Sequence, residues 1–62
     1  MKKTMVCIEN MDMENILTIN KEYEVDIKEY GLEIDNTFTP ECEFIGDDGI
    51  KTSCLSDRFT DI

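Results

Sequence analysis

The chain has 62 residues, 40% of them hydrophobic, and its fifteen Asp and Glu outweigh six Lys and Arg to give a formal net charge of −9. That length allows one domain, residues 1–62, with a modest core and little room for a deep catalytic cleft. The charge opposes nucleic-acid phosphates and anionic lipid headgroups and favours basic protein surfaces; the even spread of apolar residues excludes a disordered polyanion.

In chain order, the first expected element is a buried strand over Thr4–Ile8, "TMVCI". The apolar run breaks at Glu9, too early for a signal peptide, and no stretch approaches the roughly 20 apolar residues of a membrane span. A cytoplasmic location is the expectation. "NMDMEN", residues 10–15, reads as a loop with room for a brief helical turn, and a turn at Asn20-Lys21 follows. Met5 is expected in the core, and Met1, Met11 and Met13 on a surface loop. "EYEVDIK", residues 22–28, is the clearest signal. Tyr23, Val25 and Ile27 share one parity and Glu22, Glu24, Asp26 and Lys28 the other, as in a strand with one buried and one wet face.

Residues 29–41 contain three breakers, Gly31, Asp35-Asn36 and Pro40, and read as a long excursion between strands. Leu32–Ile34 fits either a short strand or a packed segment. Connections of this length in so small a domain are often functional. "ECEFI", residues 41–45, alternates again, with Cys42 and Phe44 inward. "IKTSCL", residues 50–55, is a weaker strand. Ser56–Phe59 reads as one 3-10 turn, and "FTDI" as a last short strand.

The stretch "FIGDDGIK" joins two of these strands. A three-residue loop, Asp47-Asp48-Gly49, with Gly49 left-handed, pairs Phe44 with Thr52 and Cys42 with Cys54. A two-residue loop at Asp48-Gly49 would set Phe44 against Ser53 and Cys42 against Leu55. The first is preferred because inward residues then meet inward partners. Calcium needs a longer oxygen pattern and a phosphate loop needs a Lys-Ser/Thr, so the stretch is read as a turn.

There is no His and no CxxC, so no metal or cofactor is expected. The three cysteines, Cys7, Cys42 and Cys54, are read as small core side chains. No nucleophile–base pair is present, and carboxylates on a wet strand face do not hold the proton that general acid catalysis needs. The chain is therefore read as a binding protein and not an enzyme. Glu22, Glu24 and Asp26 on one strand and Glu41 and Glu43 on another form the candidate partner-binding set. If the two strands are neighbours, these carboxylates share one face, where like charges repel. A basic protein docked there would offset the repulsion, as would lysines at 21, 28 and 51.

"LTINKEYEV" (17–25), "FIGDDGIK" (44–51) and "SDRF" (56–59) resemble small SH3-like barrel proteins of bacteriophages and their hosts. The resemblance covers about half of the chain. It implies an all-β, SH3-like barrel of about five short strands with a 3-10 turn before the last, and no activity, since such barrels host many roles. One departure matters: the strand after the hairpin reads "TSCL", where members of that group often carry a tryptophan-tyrosine pair. With no Trp in the chain, a proline-rich peptide groove is not expected. The reading that results is a small acidic interaction protein of phage type that binds and inhibits a host protein with a basic surface by charge mimicry, without touching nucleic acid or membrane. A homo-oligomeric assembly module and a small-molecule binder are the alternatives.

Overall fold

The computed structural model describes residues 1–62. Five strands, β1 (Lys2–Cys7), β2 (Glu22–Ile34), β3 (Thr37–Ile45), β4 (Lys51–Leu55) and β5 (Phe59–Asp61), form one antiparallel sheet in the order β4-β3-β2-β1-β5. A 3-10 turn, Ser56–Arg58, precedes β5, so the all-β expectation is met down to the turn before the last strand. The sheet must curl, because inward residues of β1, β2, β3 and β5 meet in a single cluster of Met5, Cys7, Leu17, Tyr23, Val25, Cys42, Phe44 and Phe59.

The alternation in "EYEVDIK" does what period two requires: Tyr23 and Val25 are buried and Glu22 and Glu24 exposed. Three rings pack edge to face at the centre. Their centroids lie 6.2 Å (Tyr23–Phe44), 6.0 Å (Tyr23–Phe59) and 5.4 Å (Phe44–Phe59) apart. Such pairs add about 0.5–1.5 kcal/mol each beyond the area they bury.

Residues 8–21 form the long connection from β1 to β2, and they lower Leu17 into the core. The amide of Leu17 donates to the Met13 carbonyl over 2.9 Å, one helical turn that goes no further. The Asn10 side-chain amide donates to the Leu17 carbonyl over 2.9 Å. Leu17 thus becomes fully buried although no strand carries it. Met13, expected on the surface, packs against the core as well. β1 ends at Cys7, so Ile8 falls outside it and is exposed.

The register of the β3–β4 hairpin is the preferred one, with Cys42 opposite Cys54 and Phe44 opposite Thr52. Gly49 has φ 80° and its amide donates to Gly46 O over 2.9 Å, closing the three-residue loop.

Residues 29–41, expected as a long excursion between strands, are themselves strand on either side of a tight turn, and Leu32–Ile34 takes the strand alternative. β2 and β3 continue past the body as a two-stranded arm: Gly31 faces Pro40, Leu32 faces Thr39, Glu33 faces Phe38 and Ile34 faces Thr37. Asp35 and Asn36, at φ 50° and 66°, make the two-residue turn at its tip. Two left-handed residues in a row are what a tight hairpin turn with matching twist requires, and Asp and Asn tolerate that region best after Gly. At the root the register shifts between Ile27 and Gly31, where β2 advances four residues to two on β3. Gly31 makes that shift feasible, since a Cβ there would collide with the Thr39 carbonyl oxygen and stand 2.6 Å from the Pro40 Cα.

Two substitutions separate body from arm. Leu17→Ala is expected to cost about 3 kcal/mol in urea unfolding, a large part of the roughly 6 kcal/mol available to a domain of this size. Gly31→Ala is expected to open the arm alone. Amide exchange in residues 31–40 should rise while the amides of Tyr23 and Val25 stay protected.

Candidate functional site

Of the five candidate carboxylates, Asp26 and Glu43 face each other across β2 and β3, and β3 parity puts Glu41 on the same outer face. Glu24 lies two residues along from Asp26, opposite Thr4 of β1. Glu22 stands apart: its partner is Val6, and β3 pairing begins only at Val25.

The paired face is not bare. The N-terminal ammonium of Met1 donates to Asp26 Oδ1 at 2.9 Å, and Lys28 Nζ reaches Asp26 Oδ2 at 3.0 Å and Glu43 Oε1 at 3.2 Å. Lys2 and Lys51 stand 4.0 Å from Glu24 and Glu43. The cross-strand repulsion foreseen from the sequence is thus met from within the chain. Lys21 serves elsewhere. Its ammonium lies 2.6 Å from Asp47 Oδ1, with Thr18 Oγ1 donating to Asp47 Oδ2 at 2.7 Å and Tyr23 Oη to Oδ1 at 3.0 Å. Tyr23 Oη also accepts the Thr18 amide at 2.8 Å.

These contacts move the proton affinities in the expected directions. Hydrogen bonds from the Met1 ammonium and then from Lys28 lower Asp26 from 3.8 to about 2. The Lys21 hydrogen bond, with Thr18 behind it, lowers Asp47. Lys28 is raised, first by Asp26 and then by Glu43.

Every Lys and Arg is committed to a carboxylate, Arg58 to Glu9 at 2.9 Å and Lys3 to Asp61 at 2.6 Å among them. Six of the fifteen carboxylates, Glu9, Glu24, Asp26, Glu43, Asp47 and Asp61, are therefore paired. The unpaired ones include Glu29, Glu33, Asp35 and Glu41, all on the arm or at its root. The same arm exposes Tyr30 (59%), Leu32 (45%), Ile34 (59%) and Phe38 (51%). Leu32 and Ile34 face Thr39 and Thr37, so they continue the outer face of Glu41 and Glu43, while Phe38 lies on the opposite face. Beyond Pro40 and Gly31 both backbone edges of the arm are free of strand partners. The signal in the sequence for this surface was slight: Leu32 and Ile34 share one parity, but Asp35-Asn36 reads as a breaker as readily as a hairpin turn.

The single concavity, about 140 Å³, lies on the body between Lys2, Glu24, Asp26, Glu43, Ile45 and Lys51. That is below the roughly 300 Å³ at which small-molecule sites begin. No three of Cys, Asp and Glu converge in a metal-holding cluster. No helix is long and apolar enough to cross a membrane.

The thiols divide into two kinds. Cys7 is fully buried and donates to the Glu9 carbonyl at 3.4 Å, and burial raises its pKa. Cys42 and Cys54 lie with their sulfurs 3.9 Å apart. The shared hydrogen bond lowers Cys42 and raises Cys54, so the first proton of the pair comes from Cys42 and the second is held.

No family model, no curated protein and no solved structure matches the chain. The functional reading rests on the chain's own residues.

The Asp26 contacts carry a pH signature. A carboxyl whose pKa is lower folded than unfolded stabilises the fold above its unfolded value, and that contribution fades as pH falls through the folded value. Urea unfolding from pH 4 to pH 2 should therefore show the advantage of the native chain over Asp26→Asn shrinking across the window from 3.8 to about 2.

Proposed function

We propose that this protein is a small acidic interaction module that docks on a host protein through the outer face of its β2–β3 arm. The observation that carries the reading is the coincidence of exposed Leu32 and Ile34 with unpaired Glu41 on the same face, with unpaired Asp35 at the tip of the arm and Glu29 at its root; Glu33 lies on the other face with Phe38. Burying large apolar side chains supplies affinity, and unpaired carboxylates choose a basic partner and speed encounter. A two-stranded ribbon with no core of its own is marginal in water. A partner that covers one face or adds a strand to a free edge would stabilise it.

The partner that fits is a protein with a basic, partly apolar groove of the kind that holds nucleic acid. Occupying that groove with carboxylates in place of phosphates would inhibit it. The place of action in this reading is the cytoplasm of a host cell. Glu24, Asp26 and Glu43 belong to the edge of the contact: with cations already on them, they have less to gain from a partner than the arm carboxylates. Glu22 contributes only to the long-range field.

The exposed apolar arm also favours a second reading, a symmetric homo-oligomer that buries it. At net charge −9 two copies repel, which weighs against that arrangement at low salt. Sedimentation at low ionic strength is expected to give a monomer. Immobilised protein should retain nucleic-acid-binding enzymes from a lysate and release them in about 0.5 M salt, where the screening length falls to a few ångströms. Leu32→Ser with Ile34→Ser should weaken retention of the same enzyme about tenfold or more while leaving the fold intact. A stable dimer with no retained enzyme, or retention indifferent to both salt and arm, would overturn the proposal.

A further inference from the structure

The geometry points to a second property, independent of the docking surface: Cys42 and Cys54 form a site for reversible disulfide formation with a small disulfide as oxidant. The two residues are direct cross-strand partners, and their sulfurs are 3.9 Å apart. Directly opposed residues of an antiparallel pair have Cα atoms about 4.5–5.5 Å apart, inside the span of about 4.4–6.8 Å that a disulfide bridges. Bond formation therefore needs side-chain rotation and a small approach of the strands, not a rearrangement of the fold.

Access sets the order of events. Cys42 is fully buried, whereas Cys54 is half-buried on β4, an edge strand whose far side has no strand neighbour. Cys42 gives up its proton first, and Cys54 Sγ, passing its own proton to the Cys42 sulfur across their shared hydrogen bond, attacks one sulfur of the small disulfide. The S–S bond of the reagent breaks, one thiol leaves with the proton released by Cys42, and a mixed disulfide stands on Cys54. Cys42 Sγ then attacks the Cys54 sulfur and expels the second thiol, which takes the proton of Cys42. Two protein thiols are oxidised and one small disulfide is reduced to two thiols. The lowered proton affinity of Cys42 supports the second step.

Cys7 takes no part. It lies opposite Phe59 on β1, fully buried, with its thiol engaged by the Glu9 carbonyl. The product joins the edge strand β4 covalently to β3 and leaves one free thiol. The field of a chain with net charge −9 repels anionic disulfides, so a neutral reagent is the suitable probe.

The test treats the native full chain with bis(2-hydroxyethyl) disulfide, quenches in acid, alkylates under denaturing conditions and maps the peptides. The expected product carries a Cys42–Cys54 link and a single alkylated cysteine, Cys7, and dithiothreitol restores three alkylated thiols. In concentrated urea the preference for this pairing should fall to the modest bias that the shorter loop between Cys42 and Cys54 gives an unfolded chain. Three alkylated thiols after treatment, a persistent adduct on Cys54, a link that includes Cys7, or the same pairing preference in urea would each overturn the proposal. Cys54→Ser should form no link, and the mapping of the unaltered chain decides the matter even if that variant folds poorly.

Discussion

Tyr23 is the side chain on which both halves of the body depend. Its ring meets Phe44 and Phe59 edge to face in the core, and its hydroxyl leaves the core to join Thr18 and Asp47. The apolar part fixes how β2, β3 and β5 curl around one another. The polar end fixes the 8–21 connection against the tip of the β3–β4 hairpin. A chain with eight buried hydrophobic residues cannot spread these tasks over many side chains. Lys21 adds to the same point, its ammonium 2.6 Å from Asp47 and 5.4 Å from the centre of the Tyr23 ring. Partial exposure lets water weaken these charges, so their part is to select one arrangement of loop and hairpin, while the rings supply most of the free energy.

With the core confined to one end, the arm is freed to act as a surface. Its strands are long only because β2 and β3 pair beyond the residues that β1 and β4 cover. Nothing within the chain buries Tyr30, Leu32, Ile34 or Phe38, and nothing within it neutralises Glu29, Glu33, Asp35 or Glu41. On the β2–β3 face of the body the opposite holds: Met1, Lys28, Lys2 and Lys51 attend to Asp26, Glu43 and Glu24. Cations thus stand where those strand carboxylates are crowded and none reaches the arm, while Asp12, Glu14, Glu22, Asp48 and Asp57 also lack one elsewhere.

The hairpin between β3 and β4 shows how a turn can determine chemistry at a distance. Gly49 in the left-handed region sets a three-residue loop, and that loop length sets which residues face each other four pairs along the ladder. One residue fewer in the loop would place Leu55 opposite Cys42 and leave no thiol pair.

Much of this was legible in the amino-acid order. Period-two alternation identified β2 and the inward residues of β3, because a half-buried sheet face imposes that period on any chain. The spacing of "GDDG" narrowed its register to two, because so few loop geometries join adjacent strands, and inward parity favoured the one observed. The arm was not legible: Gly31 and Pro40 look like breaks until they face each other, where the glycine accepts the approach of β3 backbone and the proline has no N–H to leave unpaired. The burial of Leu17 was equally hidden, since no periodicity marks a residue lowered into a core from a loop. Nor could local pattern say which carboxylates would meet a cation, because Met1 and Lys28 reach Asp26 only after distant strands align. Sequence alone determined which residues alternate and where the chain can turn, for these are properties of neighbouring residues. Tertiary structure decided what is left exposed and unpaired, for exposure and pairing depend on residues far apart in the chain.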